Sequence, residues 1–214
     1  MDKFDLGLMY VTDDSIRENH LFFSIIEAAL KGGANSIQLR EKYSTTQFFY
    51  HRAVEAKKLC DKYNIPLIIN DRLDIALAVN ADGLHIGQTD IPFEIARKIL
   101  GKNKIIGLSV SNEKEAQEAN KLDADYIGLS PVFATATKTT DLAVPLGIEG
   151  LKKIKNLSNK PIICIGGIDI SNTNDLMING AAGIAVVSSI SKATNPELAT
   201  KKLKQLTCKT GLHK

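Results

Sequence analysis

Hydrophobic and polar positions along the chain fall into two alternating periods. Short apolar runs rich in β-branched residues recur at Leu8–Val11, Ser36–Leu39, Leu67–Ile69, Gly83–Ile86, Ile105–Leu108, Tyr126–Leu129, Pro161–Ile165 and Gly183–Val187. Runs of this length and composition predict buried strands. Between them, Phe22–Lys31, Thr46–Lys62, Glu113–Leu122 and Glu149–Lys155 carry apolar residues at helical spacing with charge on the opposite face, the mark of helices packed on one side. Strict strand–helix alternation implies a parallel sheet with its helices outside. About eight such units in 214 residues leave no room for a second domain, so residues 1–214 are expected to form a single-domain (β/α)8 TIM barrel of α/β class. A frayed tail is expected from about residue 208. The competing architecture, an open doubly wound sheet, also alternates, but its usual G-x-G-x-x-G turn is missing after the first strand.

Four helix-to-strand connections carry related turn signals: Gly-Gly-Ala at 32–34, Asn-Ala-Asp-Gly at 80–83, Asp-Ala-Asp at 123–125 and Gly-Ala-Ala-Gly at 180–183. They read as helix stops supplied by Gly and Asn, without chemistry of their own.

Composition narrows the classes of function. A net charge of +3, from 27 basic and 24 acidic residues, is too small and dispersed to favour a nucleic-acid or membrane surface. Cys60, Cys164 and Cys208 are far apart and lack C-x-x-C spacing, which argues against a disulfide framework or structural zinc and fits a reducing cytosol. The start MDKFDLGLMYVTDD lacks a basic stretch leading into an apolar one, so a soluble, unprocessed cytoplasmic protein is expected. Oligomeric state is left open, a homodimer included.

In such a barrel the C-terminal strand ends and the loops after them form the active site. The second strand ends Gln38-Leu39-Arg40-Glu41-Lys42. A two-residue period puts Gln38, Arg40 and Lys42 on one face, toward the mouth, and Ile37 and Leu39 toward the helices. Two cations and an amide at a barrel mouth call for an anion, unless they form a solvated rim paired with Glu41. The third strand ends Asn70-Asp71 and the fourth runs into Gly87-Gln88-Thr89-Asp90. On neighbouring strands Asp71 and Asp90 can meet at the rim, where two carboxylates suit Mg²⁺ with phosphate oxygens. They can equally well cap the following helices. His85 alternates with Leu84 and Ile86 and is read as structural, with its ring nitrogens satisfied. Ser109 ends the fifth strand.

After the sixth strand, residues 130–147 form a polar connection longer than usual, with Thr135, Thr137 and Lys138 at its tip. Its length and polarity predict a lid over about Ala134 to Val144 that is poorly ordered without ligand. The seventh strand runs into Ile165-Gly166-Gly167-Ile168 and the eighth into Val187-Ser188, the two places where barrels of this class often hold phosphate on backbone N–H groups.

The motifs Q-L-R-E-K at 38–42, N-D-R at 70–72, H-I-G-Q-T-D at 85–90, P-V-F-A-T-A-T-K at 131–138, G-G-I at 166–168 and V-V-S at 186–188 resemble the thiamine-phosphate synthase family in order and spacing over nearly the whole chain. The resemblance implies a transferase that joins 4-amino-2-methyl-5-hydroxymethylpyrimidine diphosphate to 4-methyl-5-(2-phosphoethyl)thiazole, releasing pyrophosphate with Mg²⁺ as cofactor. It implies that Gln38, Leu39, Arg40, Glu41, Lys42, Asn70, Ser109 and Lys138 hold the pyrimidine diphosphate, with Arg40, Lys42, Ser109 and Lys138 catalytic. Asp71 and Asp90 would hold the metal. Thr135, Ala136, Thr137, Gly167, Val187 and Ser188 would hold the thiazole phosphate. Ser130 and Ala134 stand where the family typically has Gly and Pro, which bears on how the connection closes. A similar barrel, a thiazole tautomerase, lacks most of the pyrophosphate ligands and carries a histidine at the position matching Ser111. A non-catalytic barrel that binds thiamine precursors is the third reading, and it would not need the two carboxylates.

Overall fold

The computed structural model describes residues 5–134 and 144–208. Thr135, Ala136, Thr137 and Lys138, most of the expected lid, and the tail after Cys208 lie outside the described residues. The strands are β1 (Leu8–Val11), β2 (Ser36–Leu39), β3 (Leu67–Asn70), β4 (Gly83–Ile86), β5 (Ile105–Val110), β6 (Tyr126–Leu129), β7 (Ile162–Ile165) and β8 (Gly183–Val186). All pair in parallel, in chain order, and β1 closes on β8 through Leu8 opposite Ile184 and Tyr10 opposite Val186. The doubly wound alternative is excluded by that closure.

The helices among the described residues are α1 (Asn19–Lys31), α2 (Thr46–Tyr63), α3 (Leu73–Ala78), α4 (Phe93–Leu100), α5 (Glu113–Ala119), α6 (Gly147–Leu157), α7 (Ile170–Ile178), α8 (Ser188–Ser191) and α9 (Pro196–Thr207). Helix α1 starts three residues before the expected Phe22, because the Glu18 carboxylate accepts from the N–H groups of His20 and Leu21 and so caps a turn that shows no apolar spacing. Helix α5 stops at Ala119, short of the expected Leu122.

The strand period sorts the core into two. Outward residues such as Leu8, Ile37, Leu39, Leu67, Ile69, Leu84 and Ile106 join the helices' apolar faces in the main cluster. Inward residues Met9, Val11, Ile68, Tyr126, Ile163 and Ala185 fill the barrel. Each fully buried Val, Leu, Ile or Met side chain in either cluster stabilises the fold by roughly 1.5–3 kcal/mol.

Three polar residues at helix-to-strand connections tie strands together. Asn35 Oδ1 accepts from Leu8 N at 2.8 Å, Asp82 Oδ2 from Leu67 N at 2.9 Å and Asp125 Oδ2 from Ile106 N at 2.8 Å. Each sits just before an even-numbered strand and satisfies an N–H at the start of the preceding odd one. The bottom of the barrel is thereby tied, leaving its top to carry the site.

Candidate active site

The C-terminal mouth opens into a cavity of about 580 Å³, within the range of small-molecule sites. Gln38, Arg40, Lys42, Asn70, Asp71, Asp90, Ser109, Gly167, Val187 and Ser188 all line it. Leu39 and Glu41 do not. Leu39 is fully buried against the helices. Glu41 is turned away from the mouth onto Arg52 of α2, with Oε1 2.5 Å from Nη1 and both side chains buried, so its carboxylate cannot serve as the ligand that the resemblance implied. This also corrects the picture of a rim in which Glu41 neutralises the neighbouring cations.

The partners of those cations are other carboxylates. Arg40 Nη1 lies 2.6 Å from Asp14 Oδ2, and the Lys42 ammonium pairs with Asp71. Asp14 also accepts from Lys42 N at 3.3 Å. Nothing in the sequence singles Asp14 out, since it belongs to no motif there and its partner lies across the β1–β2 seam. Arg40 and Lys42 are thus each held on an acid.

Asp71 and Asp90 sit on the neighbouring strand ends of β3 and β4, which pair Asn70 with His85. Neither caps a helix: α3 begins after Arg72 and α4 after Pro92, both without a side-chain capping bond. The capping alternative is therefore set aside. Asp71 holds a left-handed backbone at φ 61°, fixed by its N–H on His85 O at 2.8 Å, a conformation that Asp tolerates better than most residues. Asp90 Oδ2 accepts from Gly87 N at 2.7 Å. Burial, and then the hydrogen bond and charge of Asp71, raise the Asp90 carboxyl above the usual carboxylate range, against the pull of Gly87 N–H and Lys42. Two acids within hydrogen-bonding reach, one already resisting ionisation, form a place where a proton or a cation is favoured.

His85 projects into the barrel beneath the mouth. Its Nδ1 lies 2.9 Å from Tyr126 Oη and its Nε2 2.9 Å from Ser109 Oγ, so both ring nitrogens are occupied. Burial, partly offset by Asp90 and reinforced by Lys42, pushes its pKa down to about 4. In the unfolded chain it titrates near 6.5, so the unfolded state takes the proton first and stability falls as pH drops from about 6.5 toward 4. This group is expected to cost about 2 kcal/mol between pH 7 and pH 5. Urea unfolding at the two pH values, in wild type and His85→Gln, checks it: the wild-type loss should exceed that of the variant by this amount.

On the other side, β7 runs into Gly166 and Gly167, both at positive φ (103° and 63°). A Cβ on Gly167 would lie 2.4 Å from Ala134 O. Phe133 N donates to Gly166 O at 3.0 Å and Val132 N to Ile165 O at 3.0 Å, which lays the segment after β6 along the top of β7. Gly167, Val187 and Ser188 thus share one end of the cavity.

A family model described as thiamine monophosphate synthase matches residues 8–190, which span the whole barrel. The chain belongs to that family. Among thiamine monophosphate synthase relatives, the thiamine-phosphate synthase of Clostridium novyi is 47% identical over 196 residues, 92% of this chain and 96% of its own. That of Persephonella marina is 45% identical over 206 residues, covering 96% and 98%. The solved thiamine phosphate pyrophosphorylase from Pyrococcus furiosus superposes with a TM-score of 0.85 at 36% identity, covering 96% of each chain. Among the described residues no helix is long and apolar enough to cross a membrane.

Proposed function

We propose that this chain is a thiamine-phosphate synthase that displaces pyrophosphate from a pyrimidine diphosphate with the nitrogen of a thiazole phosphate. The observation that carries the reading is the mouth itself, where Asp71 and Asp90 approach each other uncapped beside Arg40 and Lys42. The C–O bond to pyrophosphate breaks with its electron pair leaving on oxygen, the aminopyrimidine carries the positive charge, and the thiazole nitrogen lone pair closes the new C–N bond. No protein nucleophile is required.

The protein's part is electrostatic and positional. An incoming diphosphate competes with Asp14 for Arg40 and with Asp71 for Lys42, so both cations are delivered to the leaving group from fixed positions. Lys138 would add a third. Asp71 and Asp90 would hold Mg²⁺, which when bound neutralises charge gathering on pyrophosphate. Gln38, Asn70 and Ser109 would hold the pyrimidine. Thiazole phosphate would sit at the Gly167, Val187 and Ser188 end, with Thr135, Ala136 and Thr137 as its further ligands. The buried thiols of Cys60 and Cys164, unpaired, fit a reducing cytosol.

The tautomerase reading needs a histidine where Ser111 stands; here Ser111 is tied to Glu115, with N 2.7 Å and Oγ 3.0 Å from Oε2. The test is formation of thiamine phosphate from the two purified precursors with Mg²⁺. Excess chelator is expected to lower turnover by about 100-fold or more. Undiminished turnover in chelator would show that the two carboxylates serve something other than a metal.

A further inference from the structure

Helix α8 is only four residues long, Ser188–Ser191, too short to hold its own shape in water. Side chains set its place. Ile190 is fully buried in the main apolar cluster. Because β8 lies between β7 and β1, the two flanking hydroxyls reach the loops on either side. Ser189 Oγ donates to Ile168 O, just past β7. Ser191 Oγ donates to Asp13 Oδ2 at 2.9 Å, across a sequence separation of 178 residues.

Asp13 is itself firmly held. It is 5% exposed and sits in the turn after β1, which Ile16 N closes on Asp13 O at 3.2 Å. Its Oδ1 accepts from Ser15 N at 3.1 Å and from Ser15 Oγ at 2.6 Å, and its Oδ2 takes the Ser191 hydroxyl. Burial opposes ionisation, but the bonds from Ser15 and Ser191 and the charge of Lys192 outweigh it and hold the carboxyl below the usual carboxylate range. At neutral pH the group is therefore a carboxylate, which can only accept, and Ser191 is the donor.

Asp13 lines the cavity at whose far end an anion would sit, and a free carboxylate there would repel it. Here both oxygens are turned onto hydroxyl and amide donors. The next residue, Asp14, points the other way, onto Arg40. Two adjacent acids on one turn thus serve opposite ends of the mouth.

We infer that Asp13, acting through Ser191, is a positioning residue for the anion end of the site: it fixes α8 so that Val187 and Ser188 stand at the cavity wall. Both of those residues line the cavity and Ser191 does not. The link between them is short, since Ser191 N donates to Val187 O at 2.9 Å and Lys192 N to Ser188 O at 3.0 Å, so a turn released at Ser191 shifts at Val187 and Ser188. The inference rests on the proposed function for the identity of the anion, thiazole phosphate.

Calorimetric titration of thiazole phosphate, paired with kinetics in both substrates, tests it. Ser191→Ala, checked for folding by circular dichroism, should weaken thiazole phosphate binding about tenfold, the usual scale for losing a hydrogen bond to a charged group. The KM for thiazole phosphate should rise with it, while KM for the pyrimidine diphosphate and kcat at saturation stay within about twofold of wild type. Ser191→Thr keeps the hydroxyl and should restore most of the affinity. Asp13→Asn combined with Ser191→Ala should bind no more weakly than the weaker single variant, because both act through one bond. A Ser191→Ala protein with unchanged affinity, or one in which both substrates weaken equally, would overturn the inference and leave the functional reading intact. A wild type that binds no thiazole phosphate would overturn both.

Discussion

Replacing Asp71 by Asn is expected to reduce synthesis by on the order of 10³-fold, while thiazole phosphate continues to bind. Asn has the size of Asp and is equally at home at the positive φ of 61° seen here, so the strand end should keep its shape. What disappears is the charge that pairs with Lys42 and that would recruit the metal beside Asp90. The loss falls on the diphosphate side, built from β2, β3 and β4. Gly167, Val187 and Ser188 come from the ends of β7 and β8, and their placement depends on the positive φ of Gly166 and Gly167 and on the segment pinned along β7, not on that carboxylate. Titration of thiazole phosphate into Asp71→Asn, folded by circular dichroism, measures the separation. If affinity drops as far as turnover, the two ends of the mouth are not independent and the acid pair organises both.

The second large effect is on stability. Arg52→Leu is expected to cost about 3–5 kcal/mol, a large share of the 5–15 kcal/mol typical of a domain. Arg52 is 1% exposed. Its guanidinium pairs with Glu41 at 2.5 Å, donates to Asn19 Oδ1 at 3.0 Å and Ile16 O at 2.8 Å, and lies over the Phe22 ring at 3.7 Å. Removing it leaves the Glu41 carboxylate charged and buried, with Ser44 and the more distant Arg17 as its remaining partners among the described residues. Adding Glu41→Gln to Arg52→Leu should therefore recover part of the loss, at least about 1 kcal/mol, because the stranded charge is removed. Urea midpoints of the single and double variants decide it. Glu41→Gln alone should lower stability and leave KM for the pyrimidine diphosphate unchanged; a raised KM at full stability would return Glu41 to the substrate.

These residues also show what a one-dimensional pattern can carry. The alternation Ile37-Gln38-Leu39-Arg40 was enough to assign faces, since a strand has only two, and the chain-order pairing of β3 with β4 was enough to bring Asp71 toward Asp90. Glu41 escaped because it lies past the strand, where the two-residue period ends and a buried guanidinium eleven residues on decides its direction. Asp14 escaped because its partner is 26 residues away across the β1–β2 seam. For His85 the reading of satisfied nitrogens held, yet its partners, 24 and 41 residues distant, are set by barrel curvature and have no local signature. The start of α1 lies before the expected one because its cap is Glu18, a residue type without strong capping preference. Asp82 and Asp125 lie inside the turn signals at 80–83 and 123–125 and Asn35 just after that at 32–34, and none carries a local mark of the neighbouring strand it serves.

The pairing of β1 with β8 also bears on how the chain comes to be folded. Leu8 and Ile184 are partners, so the last seam cannot form until nearly the whole polypeptide has left the ribosome. Until then the hydrogen-bonding groups of Leu8–Val11 on that side face water or other chains, as an open edge would. Such a distant contact is slow to find because most of the chain must be ordered first. Closure of the barrel therefore waits on the last strand, and the β1 edge is the one that gains its partner from the far end of the chain.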